Sequence, residues 1–143
     1  MAYHFLEDIA IADVAFEATG RDLPELFRSA ADATLATMVE EPGSIQPRIE
    51  KVIELEDEAL DLLLFDLLQE LIYYKDAELL LLRLVEADVA AGTTGYTLRA
   101  RARGEHLDPS RHRQCADVKA VTLHRFALEQ TPEGWRCLVI LDV

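Results

Sequence analysis

The chain has 143 residues, half of them apolar, and its 14 basic and 27 acidic residues give a formal net charge of −13. This length and apolar content are typical of one domain with its own core, so we expect a single domain over residues 1–143. The acidic excess opposes sequence-independent binding to a phosphate backbone, so we expect any role with RNA or DNA to pass through a partner protein.

We expect a cytoplasmic protein whose cysteines are reduced thiols. The start, Met1-Ala2-Tyr3-His4-Phe5, lacks the basic flank and apolar core of a signal peptide. The most apolar stretch, residues 60–84, is interrupted by charged side chains and is not expected to cross a membrane. Cys115 and Cys137 lack Cys-x-x-Cys spacing, and a domain of this size does not need a disulfide.

The amino-terminal half predicts a strand, a helix and a second strand. Residues 14–18 are expected to form the first strand after an irregular stretch, with Asp13 where the strand begins. Asp22-Leu23-Pro24-Glu25 has the form of a helix N-cap, and Glu41-Pro42-Gly43 is expected to end that helix. The alternation over residues 45–55 then predicts a strand with one face in water.

The strongest helix prediction follows Glu56-Asp57-Glu58, whose charges suit a helix N-terminus. Asp61, Gln69 and Lys75 are expected to face water. The opposite side is an apolar stripe at helical spacing that should pack on a sheet or another helix; it consists of Leu60, Leu63, Leu64, Leu67, Leu68, Leu71 and Ile72.

A hairpin is predicted from residues 79–89 and 96–103, around a glycine-containing turn. Its second strand places Arg99, Arg101 and Arg103 on one face. This arginine stripe is open to two interpretations. It could dock an acidic partner or RNA, but a solvated face that balances nearby glutamates is the favoured one.

The chain is expected to end on two strands, residues 117–124 and 135–143. Apolar residues occur on both faces of the last strand, which predicts burial on both sides. Asp142 then lies at the rim of a buried strand and needs a partner. The element order predicts an α+β fold, a two-layer sandwich with two helices packed on a mainly antiparallel sheet.

Asp13 and Asp142 come from opposite ends of the chain, and terminal strands often lie close together. With main-chain carbonyls or the terminal carboxylate of Val143 they would suit Ca²⁺, Mg²⁺ or Mn²⁺. Spacing alone does not bring them together, and two solvated strand-end carboxylates are the favoured interpretation of the residues alone. An ordinary strand lysine is likewise the favoured interpretation of Lys119. An ordinary strand histidine is the favoured interpretation of His124.

Several short segments form a pattern that runs nearly end to end along the chain. They are Phe5-Leu6-Glu7, Ala12-Asp13-Val14, residues 66–73, Gly104-Glu105-His106-Leu107-Asp108-Pro109 through Arg111-His112, residues 118–124, and Asp142-Val143. Taken in this order, they resemble the archease family, whose members are protein cofactors of RtcB-type RNA-splicing ligases.

The resemblance implies an α/β sandwich and a divalent metal site, Ca²⁺ in known members, on Asp13, Asp142 and Val143. It assigns the functional lysine to Lys119. It also implies a partner, the RtcB-type ligase, whose guanylylation and repeated turnover in tRNA splicing or RNA repair the protein would promote. RNA would be met only through that ligase, and an acidic protein complements a basic one.

One departure from the family concerns the residues before Asp13. The family usually has His-Thr-Ala-Asp, whereas this chain has Ala10-Ile11 before Ala12-Asp13 and two extra residues after Glu7. Any role of that histidine is therefore lost or moved to Asp8.

Two other hypotheses remain. One is a small metal-dependent hydrolase or nucleotide-binding enzyme that uses Asp13, Asp142, Lys119 and His124, although no phosphate-binding loop or nucleophile signature accompanies them. The other is an RNA-binding adaptor that uses the arginine stripe and predicts salt-sensitive RNA binding.

Overall fold

The computed structural model describes residues 2–6 and 13–143. The helices in these residues are α1 (Leu23–Met38) and α2 (Leu60–Glu78), with a short 3₁₀ helix at Pro42–Ser44. The strands, in chain order, are β1 (Ala2–Leu6), β2 (Val14–Gly20), β3 (Ile49–Asp57), β4 (Leu80–Ala91), β5 (Tyr96–His106), β6 (Ala120–Thr131) and β7 (Gly134–Asp142).

The strands form two sheets with antiparallel neighbours. The first sheet has the order β1-β2-β7-β6, and the second has the order β3-β5-β4. Helices packed on antiparallel strands confirm the predicted α+β class. The difference is that two sheets replace the expected single one, because the long polar connection after β5 carries the chain from the second sheet back to the first.

Both helices contribute to the core between these sheets. Helix α1 packs on β2 and β7 of the first sheet and on β4 of the second, whereas α2 packs on all three strands of the second sheet and on β6. The side chains of β7 confirm the prediction of a strand buried on both sides. Val139, Ile140 and Leu141 are consecutive and at most 1% exposed, and successive strand residues point to opposite faces.

Strand β1 was not predicted as a separate element. It pairs with β2 at the edge of the first sheet, and Phe5 lies opposite Phe16. Four of its five residues are exposed. A short edge strand held by main-chain hydrogen bonds gives little hydrophobic alternation for sequence analysis to detect.

The predicted start of α1 is confirmed. The Asp22 carboxylate accepts a hydrogen bond from the Glu25 amide at 2.9 Å, and Pro24 lies in the first turn. This cap satisfies one of the amides that a helix N-terminus leaves without an intrahelical partner.

We expect Asp22→Ala to lower the free energy of unfolding by about 1 kcal/mol, because the Glu25 amide loses its acceptor. Urea denaturation of the purified protein measures the change. Asp88→Ala is the control, because it removes an exposed aspartate of β4 that caps no helix. Equal stability of the Asp22→Ala variant and the wild type would contradict the assignment of this cap.

Helix α2 confirms the leucine stripe but corrects one prediction. Leu63, Leu64, Leu67 and Leu68 are fully buried. Lys75, which was expected to face water, is only 9% exposed. The reason is tertiary: the connection that leads into β6 passes over the end of α2 and supplies polar partners for the ammonium group.

The largest differences from the predicted strand boundaries are in β3 and β6. Strand β3 begins at Ile49 rather than residue 45, because the 3₁₀ helix precedes it. Strand β6 continues past His124 to Thr131 through a bulge between Thr122 and Ala127. No helix in the described part of the chain is both long and apolar enough to span a membrane.

Candidate functional site

Strand pairing brings the two aspartates of interest to one end of the first sheet. Val14 pairs with Leu141 in the antiparallel β2–β7 pair. Asp13 directly precedes Val14, and Asp142 directly follows Leu141, so the two aspartates lie across from each other where the pair ends. This is the proximity that sequence spacing alone did not establish.

Lys119 lies at the same end of the sheet. On its other side β7 pairs with β6, and Asp142 lies opposite Ala120. The Lys119 amide donates a hydrogen bond to the main-chain carbonyl of Asp142 at 2.8 Å. Three residues that are distant in sequence, Asp13, Lys119 and Asp142, therefore occupy one end of β2, β7 and β6.

The groups of this site differ in exposure among the described residues. Asp142 and Lys119 are exposed, and Asp13 and Val143 are half-buried. Within residues 2–6 and 13–143, the carboxylates of Asp13 and Asp142 form no salt bridge and no side-chain hydrogen bond. The same holds for the ammonium group of Lys119. Val143 packs its side chain against the hydrophobic core, which fixes the main chain beside Asp142.

The donor set at this end of the sheet fits a hard cation. Carboxylate and main-chain oxygens are the ligands that Ca²⁺, Mg²⁺ and Mn²⁺ prefer. The described ranges contain no cluster of three or more His, Cys, Asp or Glu side chains suited to a metal. A cation bound here would therefore take two carboxylates and complete its coordination with main-chain oxygens and water.

The segment before Lys119 is held by α2. The Lys75 ammonium donates hydrogen bonds to the Asp117 carboxylate at 2.7 Å and to the Val118 carbonyl at 2.6 Å, and it also pairs with Asp76 at 2.7 Å. Burial lowers the pKa of Lys75, but these acidic partners outweigh that effect and leave its pKa above the usual value. Lys75 is therefore a charged anchor for the entrance to β6.

The departure from the family motif falls on residues 7–12, including Asp8, Ala10 and Ile11. These positions lie outside the described residues. The prediction that a histidine role is lost or moved to Asp8 stays a prediction.

A second polar cluster, which sequence reasoning did not predict, is centred on Glu105. Its carboxylate accepts hydrogen bonds from the Gln46 amide at 2.7 Å and from the guanidinium of Arg111, and it lies 3.1 Å from His112 Nε2. Glu105 and His112 are 4% and 2% exposed. The Asp108 amide donates to His112 Nδ1 at 2.9 Å, so Nε2 carries the proton that faces Glu105.

This cluster fastens the connection after β5 to the start of β3. Burial raises the pKa of Glu105, but the Gln46 amide, His112 and Arg111 outweigh it, so the pKa lies below its usual value. The carboxylate is thus held as an ion within the fold. The only sequence signal for it was the segment from Gly104 to His112, which carried part of the family resemblance without indicating contacts.

The arginine stripe is engaged in ion pairs with neighbouring strands. Arg99 pairs with Glu54, Arg101 pairs with Glu50 and Glu86, and Arg103 also pairs with Glu50. These contacts confirm the favoured interpretation of a strand face balanced by glutamates. They leave little free positive charge for RNA on this face.

The remaining candidate nucleophile and base do not form a catalytic arrangement. Cys137 is buried, and burial raises the pKa of its thiol to about 12. Cys115 and His124 are both exposed, and both cysteines are free thiols. Within residues 2–6 and 13–143, no side-chain hydrogen bond joins either cysteine to a histidine, so these residues do not form a cysteine–histidine pair.

The carboxyl pair Asp57 and Asp66 joins the end of β3 to α2 and should make stability depend on pH. Burial, followed by the hydrogen bond to Asp57, raises the pKa of Asp66 to about 6. The Ala59 amide, followed by that same hydrogen bond, lowers the pKa of Asp57. The folded protein therefore holds the Asp66 proton more tightly than the unfolded chain does.

We expect the stabilisation from protonated Asp66 to be complete below the ordinary aspartate pKa and to be lost as pH rises to about 6. The lowered pKa of Asp57 has the opposite effect on stability, and its contribution is lost only as the pH falls below the ordinary aspartate pKa. Urea unfolding of the wild type and of Asp66→Asn between pH 4 and pH 7 measures how the free energy of unfolding of each depends on pH. The Asn variant should gain stability relative to the wild type across that range; a constant difference would contradict the raised pKa.

Comparisons with known proteins agree with this architecture. The model of the Archease protein family (MTH1598/TM1083) matches residues 3–143. The protein archease of Pyrococcus abyssi is 33% identical over 133 residues, which cover 92% of this chain and 93% of the relative. The protein archease of Archaeoglobus fulgidus is 34% identical over 143 residues and covers 100% of both chains.

Two solved structures have the same fold. The solution structure of Methanobacterium thermoautotrophicum protein 1598 is 29% identical, covers 99% of this chain and 98% of its own, and has a TM-score of 0.85. The crystal structure of a Thermotoga maritima archease, described as a possible chaperone, is 18% identical with a TM-score of 0.59 and supports the fold alone. The family match over nearly the whole chain and the two full-length relatives show that this chain belongs to the archease family.

Proposed function

We propose that this protein is an activating partner of an RtcB-type RNA ligase and is not itself a ligase. It would promote guanylylation of the ligase and allow repeated turnover in tRNA splicing or RNA repair. Membership of the archease family supports a helper role. The observation that carries the proposal is the convergence of Asp13, Lys119 and Asp142 at one end of a sheet.

We propose Ca²⁺ as the bound cation at this end, with Mg²⁺ or Mn²⁺ as alternatives. Asp13, Asp142 and an oxygen of Val143 would hold it. The bound cation would supply a positive charge that attracts a phosphate or carboxylate oxygen of the ligase centre. Exposed Asp142 and half-buried Val143 leave one side of the site accessible to such a group.

Lys119 has a different role in this proposal. Its ammonium group is exposed and free of salt bridges within the described ranges, and its main chain is fixed to Asp142. It can therefore contact a nucleotide phosphate or a ligase carboxylate without first breaking an ion pair. The lysine would orient the partner, while the carboxylates hold the metal.

The overall charge supports protein docking more than RNA binding. A net charge of −13 complements a basic, RNA-binding ligase and increases the rate of encounter. The arginines that could oppose this interpretation are already paired with glutamates. RNA would therefore be reached only through the ligase.

A guanylylation assay on the cognate ligase, with and without this protein, tests the proposal. We expect the ligase alone to stall after a single turnover and to resume repeated turnover when the protein and Ca²⁺ are added. No stimulation under any metal condition would contradict it. Nucleotide hydrolysis by the isolated protein would instead favour the metal-dependent hydrolase hypothesis.

A further inference from the structure

We propose that Lys75 and Gln69 of α2 are positioning residues that hold the main chain on both sides of Lys119 and so fix Lys119 beside Asp142. The functional consequence of this positioning rests on the function proposed above, but the positioning itself can be tested without the ligase. Neither residue lies among the three groups that would meet the metal or the partner.

The first anchor lies immediately before Lys119. Lys75 donates to the carbonyl of Val118 at 2.6 Å and to the carboxylate of Asp117 at 2.7 Å. Val118 is fully buried, and Lys75 is 9% exposed. Because water has little access to this carbonyl, the ammonium group is its hydrogen-bond partner, and the contact is not readily exchanged for a solvent molecule.

The second anchor lies two residues after Lys119. The side-chain oxygen of Gln69 accepts a hydrogen bond from the Val121 amide at 2.7 Å. Among the described strands, β6 lies at the edge of the first sheet and pairs with β7. Gln69 therefore supplies a side-chain acceptor to a main-chain group of an edge strand.

The distance between the two anchor residues along α2 matches the distance between the two main-chain groups that they hold. Gln69 and Lys75 are six residues apart, which is about 9 Å along a helix axis. Val118 and Val121 are three residues apart, which is about 10 Å along an extended chain. Helix α2 and strand β6 run antiparallel, because Gln69 contacts Val121 and the later helix residue Lys75 contacts the earlier residue Val118. A third contact fits this direction: the rings of Phe65 and Phe126 pack edge to face with centroids 5.6 Å apart.

Only Lys119 and Ala120 lie between the two anchors. The Lys119 amide donates to the Asp142 carbonyl, and Ala120 pairs with Asp142. A shift of Lys119 along or away from β7 would therefore break a contact with α2 as well as one with β7. In this arrangement α2 sets the position of the lysine relative to the carboxylate.

Amide hydrogen exchange on the isolated, metal-free protein tests the geometry. We expect the Lys119 amide to exchange roughly five- to tenfold faster in Gln69→Leu, which removes one hydrogen bond, and by at least that factor in Lys75→Met, which removes those to Val118 and Asp117. The Lys119 amide is the informative probe, because its own acceptor, Asp142, is unchanged in both variants. Lys75→Arg keeps a charged donor and should restore slow exchange.

Lys51→Met is the matched control. Lys51 also pairs near the end of α2, with Glu78 at 3.6 Å, but it contacts neither anchor segment. It should leave exchange at Lys119 unchanged. Unchanged exchange at Lys119 in folded Gln69→Leu and Lys75→Met would overturn the proposal; if Lys75→Met does not fold, Gln69→Leu alone decides.

Ligase stimulation and calcium titration add the functional measurement. We expect stimulation to fall roughly five- to tenfold in Lys75→Met, because Lys119 is no longer held in position, and to recover in Lys75→Arg. Ca²⁺ affinity should stay at the wild-type level in both variants, because Asp13 and Asp142 are unchanged. If the wild type binds no Ca²⁺, the proposed metal site fails while the exchange result still decides the positioning role. Normal exchange at Lys119 with intact Ca²⁺ binding would reject positioning and keep the proposed function.

Discussion

Asp142→Asn is expected to abolish stimulation of the ligase while the protein stays folded. The substitution keeps the size of the side chain but removes the negative charge that would hold a cation. Stimulation and Ca²⁺ affinity should each fall by about 100-fold or more, because even removal of a group that only orients a metal ligand costs 10- to 100-fold. Asp142 is exposed, so the free energy of unfolding should change by less than about 0.5 kcal/mol.

The measurement combines the guanylylation assay, calcium titration and urea denaturation. Asp13→Asn should behave in the same way, since Asp13 lies across the strand pair from Asp142. Asp88→Asn is the matched control, because it removes an exposed aspartate from the other sheet. If both Asp13→Asn and Asp142→Asn still give repeated turnover, the proposed site is wrong.

Glu105→Ala is expected to have the largest effect on stability. Removing this carboxylate leaves the buried His112 ring and the Gln46 amide without their acceptor. A buried donor left without its acceptor typically costs about 1–3 kcal/mol, and two donors are affected, so we expect a loss of about 3 kcal/mol and a fall in melting temperature of about 10 °C. Thermal and urea denaturation measure both quantities.

The depressed pKa of Glu105 adds a pH test with a defined sign. A carboxyl whose pKa is lower in the folded state contributes stability above its ordinary pKa and loses that contribution as pH falls through the lowered value. The stability difference between the wild type and Glu105→Gln should therefore shrink in acid.

Glu54→Ala serves as the control for Glu105. It removes one carboxylate of an ion pair with Arg99 whose two side chains are both largely exposed. Surface pairs of this kind contribute little, so the stability should hardly change. Equal losses from Glu54→Ala and Glu105→Ala would contradict the assignment of a buried structural cluster.

Local sequence signals predicted the elements that depend on local chemistry. The cap at Asp22 was predictable because its hydrogen bond closes within three residues. The leucine stripe of α2 was predictable because helical periodicity is set by neighbours along the chain. Strand β1 was missed because its evidence is its pairing with β2 rather than its composition.

The candidate site was predicted in part. The residues came from the family resemblance, and Asp142 also came from the expectation that a carboxylate at the rim of a buried strand needs a partner. Their proximity depends on which residues pair, and spacing in sequence does not determine that register. The anchors Lys75 and Gln69 were expected to face water, because the segment that covers them is more than forty residues away in sequence.

The sequence by itself determined the α+β class, the two helices and the family, since these depend on periodicity, capping and motif order along the chain. Only the tertiary structure decided that Asp13, Lys119 and Asp142 share one end of a sheet, and that Lys75 and Glu105 are buried. The physical reason is that strand register and burial arise from contacts between distant segments. Each such contact is satisfied by a partner that no local window contains.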